Sequence, residues 1–242
     1  MWEISAVIEV GLATHRGHYR EQNEDCALVA FPVFAVADGM GGHAAGEVAA
    51  RLAVETLEEL AGTQLLGIDA VRGPVEEANR RIWEAGKEPG QRGMGTTVTG
   101  CAALTDGSWA IFNVGDSRVL HIHDGDIRQL TVDHSEVQDM VTLGILAPDE
   151  AAVHPMRHIV TRSLGARPGV QVDIERSEVV PGDRLLVCSD GLTDEVAPDD
   201  SFWVLDPAQN PQDAADALIQ AALAAGGHDN VTVIVVDILA GS

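Results

Sequence analysis

The chain has 242 residues, of which 45% are hydrophobic and 22% are charged, a composition that can build the core of one large domain and argues against disorder. Its 38 acidic residues outnumber its 15 basic residues, so the net charge at neutral pH is −23. We therefore expect no nucleic-acid partner and no anionic membrane surface, since both are recognised by clustered basic side chains.

The first five residues and the cysteines indicate the compartment in which the protein is expected. Met1–Ser5 has neither the positive charge nor the apolar stretch of a signal peptide, and the longest apolar runs are too short to span a bilayer. Cys26, Cys101 and Cys188 lie far apart in apolar segments, which indicates buried thiols rather than a zinc site or a disulfide framework. These features predict a cytoplasmic protein.

Two helices are predicted early in the chain. An apolar stripe with helical spacing covers residues 44–61, and a clearer one covers residues 69–86, where Val71, Val75, Ala78 and Ile82 recur at intervals of three or four. Both patterns are those of helices that cover a core with one face.

Short strands follow from Gly95 to about Leu130. Four β-rich runs are separated by Thr105–Gly107, Gly115–Ser117 and Asp124–Gly125, and such Asp and Gly pairs favour hairpins because these residues tolerate positive φ. The spacing predicts consecutive hairpins, and therefore an antiparallel sheet.

The second half of the chain adds strands and one helix. Residues 134–158 are irregular or weakly helical by pattern, and strands are predicted near 170–180, 184–189 and 231–238. Asn210 as N-cap and Pro211 at the first helical position begin a helix that Gly226 ends. Segregated helices and antiparallel strands predict an α+β fold of two sheets packed face to face with helices outside.

Carboxylates lie beside glycines at the ends of apolar strands. Asp38, Asp116 and Asp190 each follow such a run, Asp229 precedes the last strand, and Glu24-Asp25 precedes the strand that begins at Cys26. A single Asp-Gly pair is an ordinary turn, but buried carboxylates need a partner, and the chain has few cations to offer. If they converge, oxygen ligands select Mg²⁺ or Mn²⁺, so the spacing indicates a metal-dependent hydrolase or a metal-binding domain.

Two further residues are candidates for contact with a substrate. Arg20 is either a ligand for a phosphate dianion, which its planar guanidinium can bind through two hydrogen bonds, or a solvated surface residue. His43, after Gly41-Gly42, is either a general acid or a residue at a helix start.

An ordered set of motifs extends over residues 14–232. In chain order these are Arg20–Asp25, Val36–His43, Gly95–Thr97, Gly115–Arg118, Asp133-His134, Thr161–Gly165, Ser189–Asp194 and Asp229–Thr232. With these motifs the sequence resembles the protein phosphatase 2C family of metal-dependent Ser/Thr phosphatases, in its compact bacterial form. The resemblance implies a four-layer α-β-β-α sandwich, and a single catalytic domain over residues 1–242 with a flap at about 136–160.

The resemblance also implies roles for individual residues. Two Mn²⁺ or Mg²⁺ ions would lie at the core site, and Asp116 with Asp190 would hold a weaker third. Asp38 would bridge the two core ions, and Arg20 would bind the substrate phosphate. The remaining metal ligands would be the Gly39 carbonyl, Asp190 and Asp229, with Glu24 and Asp25 acting through water or supporting the site, and Asn230 behind them.

The implied reaction is hydrolysis of phosphoserine and phosphothreonine by direct attack of a metal-bridging hydroxide. Met40 occupies the position at which animal relatives carry a histidine, so His43 or a metal-bound water remains the candidate general acid. The expected partners are phosphorylated proteins and an opposing Ser/Thr kinase, and we expect a monomer. A non-enzymatic relative and a phosphoesterase for small molecules remain as alternatives.

Overall fold

The computed structural model describes residues 6–41, 45–196 and 209–241, which contain two five-stranded sheets in which every strand pairing is antiparallel. The first sheet has the order β1 (Ala6–His15), β12 (Val231–Ala240), β11 (Arg184–Cys188), β8 (Arg118–His123) and β9 (Asp126–Gln129). The second has the order β10 (Asp173–Ser177), β7 (Trp109–Val114), β6 (Val98–Ala103), β3 (Val33–Ala37) and β2 (Cys26–Ala30). A short ribbon joins β4 (Gly39–Met40) to β5 (Gly95–Thr96).

The described residues contain six helices. They are α1 (Ala45–Glu58), α2 (Asp69–Ala85), α3 (Glu136–Thr142), α4 (Pro148–Ala152), α5 (Asp190–Thr193) and α6 (Pro211–Ala225). One apolar cluster joins α1 and α2 to the second sheet, another joins α6 to the first, and a third fills the space between the sheets. The predicted four-layer α-β-β-α arrangement is confirmed.

The helix predictions agree with the structure to within a turn. The stripes at 44–61 and 69–86 become Ala45–Glu58 and Asp69–Ala85. The Asn210 side chain accepts a hydrogen bond from the Asp213 amide at 2.9 Å, which is the predicted N-cap. None of the helices in the three described ranges has the length and apolar character needed to cross a membrane.

One of the predicted hairpins is wrong, and the error matters for the site. Asp124 and Gly125 both have positive φ and close the expected β8–β9 hairpin. Gly115–Ser117 closes none, because β7 belongs to the second sheet and β8 to the first. The chain crosses between the sheets here, so Asp116 is placed at the end of the sandwich between them.

A buried ion pair joins the central strand of the first sheet, β11, to its neighbour β12. Arg184 on β11 is opposite Asp237 on β12, and its Nε and Nη2 atoms donate to the two carboxylate oxygens at 2.5 and 2.7 Å. Both side chains are nearly excluded from solvent. Removing one charge would leave the other unpaired in a poorly solvated place.

We expect Arg184→Leu to lower the free energy of unfolding by about 3–5 kcal/mol, because Asp237 loses its partner. Urea denaturation followed by circular dichroism measures this loss. Arg80→Leu is the matched control, since the pairing of Arg80 with Glu77 is on an exposed helix face and its removal should cost far less. Equal losses in the two variants would contradict the role assigned to burial.

Candidate metal centre and active site

Antiparallel pairing brings Asp25 and Asp38 to the same edge of the second sheet. Cys26, the first residue of β2, pairs with Ala37, the last residue of β3, so the residues just outside the pair lie together. The backbone of Asp38 is held by Thr97, whose Oγ1 accepts from the Asp38 amide at 3.0 Å and whose amide donates to the Asp38 carbonyl at 2.9 Å. One Asp25 oxygen accepts from Ser189 Oγ at 2.9 Å.

The first sheet contributes Asp190 and Asp229 by the same rule. The end of β11 pairs with the start of β12, and the Ser189 amide donates to the Thr232 carbonyl at 3.0 Å. A β-carbon on Gly191 would lie 1.9 Å from the Asn230 carbonyl oxygen, so only glycine permits this close approach. Asp116 lies on the segment that connects β7 in the second sheet to β8 in the first. The residues at the ends of both sheets are therefore close to one another.

Burial and mutual repulsion disfavour ionisation of these carboxyl groups. Burial, with the charges of Asp190 and Asp229, raises the pKa of Asp25 to about 7, although hydrogen bonds from Thr232 and Ser189 oppose the shift. Burial, followed by the charges of Asp194 and Asp229, raises the pKa of Asp190 to about 6.

Asp38 and Asp116 are affected in the same way. Burial raises the pKa of Asp38 well above its usual value, and the neighbouring charges of Asp25 and Asp190 add to the shift. Burial also raises the pKa of Asp116 well above its usual value, with Asp190 again a contributor. Each of these carboxyl groups is therefore within electrostatic reach of Asp190.

The chemistry of the cluster fits hard divalent cations. Asp25 Oδ1 and Asp190 Oδ1 are buried and have no hydrogen-bond partner among the described residues, so each has an unused lone pair at the cluster. The available donors are carboxylate and carbonyl oxygens, which suit Mg²⁺ and Mn²⁺. A cation would also relieve the repulsion that raises the pKa values.

Glu24 and Gly39 lie against each other at the edge of this cluster. A β-carbon on Gly39 would meet the Glu24 carbonyl at 2.6 Å, and one on Gly46 would meet Glu24 Oε2 at 2.7 Å. The glycines therefore let the Glu24 side chain pass close to the backbone that presents the Gly39 carbonyl. Strand pairing and the crossing between the sheets thus put the predicted ligands at one end of the sandwich, and their roles as metal ligands stay a prediction; they are Glu24, Asp25, Asp38, Gly39, Asp116, Asp190 and Asp229.

Arg20 lies beside the carboxylates on a loop that Asn230 holds in place. Arg20 Nη2 donates to Asp229 Oδ2 at 2.5 Å, and this hydrogen bond, which outweighs the effect of burial, raises the pKa of Arg20, with further contributions from Asp38 and Asp190. Asn230 Oδ1 accepts from the Glu24 amide at 2.8 Å, while its Nδ2 donates to the carbonyls of Arg16 and Gln22 at 3.0 and 2.9 Å. Asn230 therefore braces the loop.

Arg118 does not neutralise Asp116, although it was the nearest basic residue in sequence. Its guanidinium binds Asp133 through both Nε and Nη2, with the shortest contact at 2.6 Å. Asp116 is therefore left without that cation. The pairing was not evident from sequence because Asp133 reaches Arg118 only across the turn that follows β9.

Asp194 belongs to the cluster and was not assigned a role from sequence. It lies four residues after Asp190 on one helical turn, which is the spacing that could have revealed it. Asp194 Oδ2 is 2.9 Å from His158 Nδ1, and Asp194 lines a cavity of about 420 Å³ with Asp116 and Asp190. The opposite wall of the cavity comes from α3, α4 and Arg157, within the segment predicted as a flap. His43 lies outside the described residues.

Comparison with known proteins shows the family to which the chain belongs. The sequence model of the Protein phosphatase 2C family matches residues 18–225, and the chain belongs to this family. The serine/threonine protein phosphatase PstP of Mycobacterium tuberculosis is 38% identical over 99% of this chain and 46% of its own length. The serine/threonine phosphatase stp of Listeria welshimeri is 37% identical over 93% of both chains. The chain thus spans about half the length of PstP and nearly the whole length of stp.

Solved structures give the same result. The crystal structure of PstP from Mycobacterium tuberculosis has a TM-score of 0.91 at 36% identity, covering 96% of this chain and 99% of that one. The catalytic domain of PstP in complex with two manganese ions has a TM-score of 0.85 at 34% identity, covering 97% and 99%. The second structure shows a protein of this fold binding two divalent cations.

We expect the metal-free protein to lose stability as the pH rises from the ordinary carboxyl pKa of 3.8 towards the raised value of about 7 for Asp25. A carboxyl group with a raised pKa binds its proton more tightly when folded, so its contribution is present at low pH and is lost on ionisation. Thermal unfolding in EDTA across this interval measures the effect. Saturating Mn²⁺ should reverse it, because the cation binds the ionised groups.

Asp25→Asn provides the matched comparison for this pH dependence. Without the titrating group, its profile should be flatter than that of the unsubstituted protein over the same interval. Asp106→Asn, on an exposed turn, should not flatten the profile, since hydrogen bonds from Ser108 and Arg176 lower the pKa of Asp106 to about 2, which is outside this interval. Superimposable profiles for the unsubstituted protein and Asp25→Asn would contradict the assignment.

Proposed function

We propose that this protein is a metal-dependent phosphoprotein phosphatase that hydrolyses phosphoserine and phosphothreonine. The observation that carries the proposal is the convergence of buried carboxylates with unpartnered oxygens beside the guanidinium of Arg20. Asp38, Asp190, Asp229 and the Gly39 carbonyl would hold two ions, with Glu24 and Asp25 supporting them. Asp116 and Asp190 would hold a weaker third ion.

Bound Mn²⁺ or Mg²⁺ ions would lower the pKa of a water molecule and neutralise phosphate charge. Side chains of the protein would orient the substrate phosphate and the metal ligands. Arg20 presents planar donors to the phosphate oxygens, and Asn230 holds the loop that carries Arg20 through its contacts with the Arg16 and Gln22 carbonyls. Thr97 fixes the backbone of Asp38. The geometry thereby limits the motion of groups that must act together.

The thiols favour direct hydrolysis over a covalent cysteine intermediate. Burial raises the pKa of Cys188 to about 12 and also raises the pKa values of Cys26 and Cys101, so none of them is poised to form a thiolate. Water is then the natural nucleophile. The proton donor to the leaving alkoxide would be His43 or a metal-bound water.

The proposal extends to the domain organisation, the flap and the partners of the protein. Residues 1–242 would form one catalytic domain, since a single apolar cluster contains residues of both sheets. The flap at 136–160 would border the substrate, because it lines the cavity that also contains Asp116 and Asp190. Phosphorylated proteins in the cytoplasm would be the substrates, a Ser/Thr kinase would oppose the enzyme, and the enzyme would act as a monomer.

The function is tested by Mn²⁺-dependent release of phosphate from a phosphothreonine peptide. EDTA should abolish the activity, and Asp38→Ala or Asp190→Asn should lower kcat by on the order of 100-fold or more, since each removes a ligand oxygen. Asp106→Asn is the matched control. Asp106 pairs with Arg176 at the start of β7, whereas the candidate metal site lies beyond the end of that strand. Activity that survives chelation, or higher kcat/KM on small phosphate esters than on phosphopeptides, would refute the proposal.

Arg20 is tested separately by its effect on KM. We expect Arg20→Ala to raise KM for the phosphopeptide roughly 10-fold to 100-fold with a smaller change in kcat, because hydrogen bonds to a charged group contribute about 1.5–3 kcal/mol. Arg20→Lys should recover part of the loss, since it keeps the charge and loses the fork. Arg128→Ala, on the edge strand β9, should leave KM unchanged. An unchanged KM in Arg20→Ala would remove Arg20 from the phosphate site.

A further inference from the structure

His134 is a buried histidine, 6% exposed, that forms two hydrogen bonds with the residue preceding Asp116. The Gly115 amide donates to His134 Nδ1 at 2.9 Å, and the His134 amide donates to the Gly115 carbonyl at 2.9 Å. Both polar groups of the Gly115 backbone are thus bound to His134, and the carbonyl also accepts from Asn113 Nδ2 at 3.0 Å. The position of Asp116 follows from them, because Asp116 is the next residue along the chain.

The second ring nitrogen ties His134 to the neighbouring strand. Because Nδ1 accepts a hydrogen bond, the ring proton is on Nε2, which donates to Asp173 Oδ2 at 3.0 Å. Asp173 Oδ1 in turn accepts from Arg162 Nη1 at 2.6 Å. This chain fixes the tautomer and the orientation of the imidazole, as carboxylates do for histidines that bind metals.

The same residue lies at the base of the flap. The His134 carbonyl accepts from the Thr161 amide at 2.8 Å, and the adjacent residues Ser135 and Val160 form an antiparallel bridge. The two ends of the segment 136–160 are therefore held together by hydrogen bonds beside His134. Movement of the imidazole is opposed by the flap base as well as by Asp173.

Gly115 is also packed against the residue that holds Asp38. Its φ is +125°, and a β-carbon there would lie 2.5 Å from the side chain of Thr97. Thr97 Oγ1 lies 2.9 Å from Ser117 Oγ and accepts from the Asp38 amide. The turn that carries Asp116 is therefore confined between His134 on one side and Thr97 on the other.

We propose that His134 is a positioning residue that sets the place of Asp116, and through Asp116 the affinity of the site for its weaker divalent cation. The proposal rests on the function proposed above, since it takes Asp116 as a cation ligand. His134 itself touches neither cation nor substrate. Its Nδ1 contact with Gly115 carries the effect, while the Nε2 contact with Asp173 holds the ring.

Two conservative variants separate the two ring nitrogens. His134→Asn places an amide oxygen near the position of Nδ1, so it can still accept from the Gly115 amide. His134→Gln places an amide near the position of Nε2, so it can still donate to Asp173 but does not reach Gly115. We expect Mn²⁺ affinity at the weaker site to fall about tenfold in His134→Gln and to stay near the original value in His134→Asn.

Isothermal titration calorimetry with Mn²⁺ reads this affinity directly and does not depend on turnover. The same titration in the Asp116→Asn background provides a double-mutant cycle, in which His134→Gln should cause no further loss because its effect passes through Asp116. His121→Asn is the matched control, since His121 also pairs with a buried aspartate, Asp183, at the opposite end of the first sheet. Thermal unfolding in EDTA shows that each variant is folded.

The outcomes distinguish this inference from the proposed function. Unchanged Mn²⁺ affinity in His134→Gln, an equal loss in His134→Asn, or a further loss in the Asp116→Asn background would overturn the positioning role. If the unsubstituted protein binds Mn²⁺ but releases no phosphate from the phosphopeptide, the proposed function fails while the calorimetry still decides the role of His134. An unsubstituted protein that binds no Mn²⁺ would overturn both.

Discussion

Repulsion among carboxylates at one end of the sandwich is the constraint on which the functional part of this structure depends. Asp25, Asp38, Asp116 and Asp190 lie close enough that burial and their mutual charge raise every one of their pKa values. A fold selected for stability alone would not collect like charges in a poorly solvated place. The arrangement becomes favourable when divalent cations supply the opposite charge, which is why metal binding and the architecture have to be considered together.

The rest of the fold can tolerate this repulsion because the strands that carry Asp38, Asp190 and Asp229 are buried along most of their length. β3, β11 and most of β12 are excluded from solvent, with apolar clusters on both faces. Their positions are therefore fixed by packing that does not involve the acidic residues. A stable core can hold a locally unfavourable arrangement at its edge, and functional sites are commonly built in this way.

Neutral polar residues then fix the orientation of the charged ones. Thr97 holds the backbone of Asp38, Ser189 binds one oxygen of Asp25, and Asn230 joins the Arg20 loop to the start of β12. Thr97 and Ser189 are fully buried and Asn230 nearly so, and each makes more than one hydrogen bond. Such neutral residues restrict the motion of the carboxylates without adding to the negative charge of the cluster.

The sequence by itself determined most of the helices and strands, though not β1, together with the α+β class and the identity of most of the acidic residues, because helical periodicity, Asp-Gly turns and strand-ending carboxylates are local signals. It also placed the N-cap at Asn210 and the β8–β9 hairpin. It did not determine that β7 and β8 belong to different sheets, that Arg118 binds Asp133, or that Asp194 joins the cluster. Those features depend on contacts between segments that are distant in the chain or in different sheets, and only the packed tertiary structure brings such segments together.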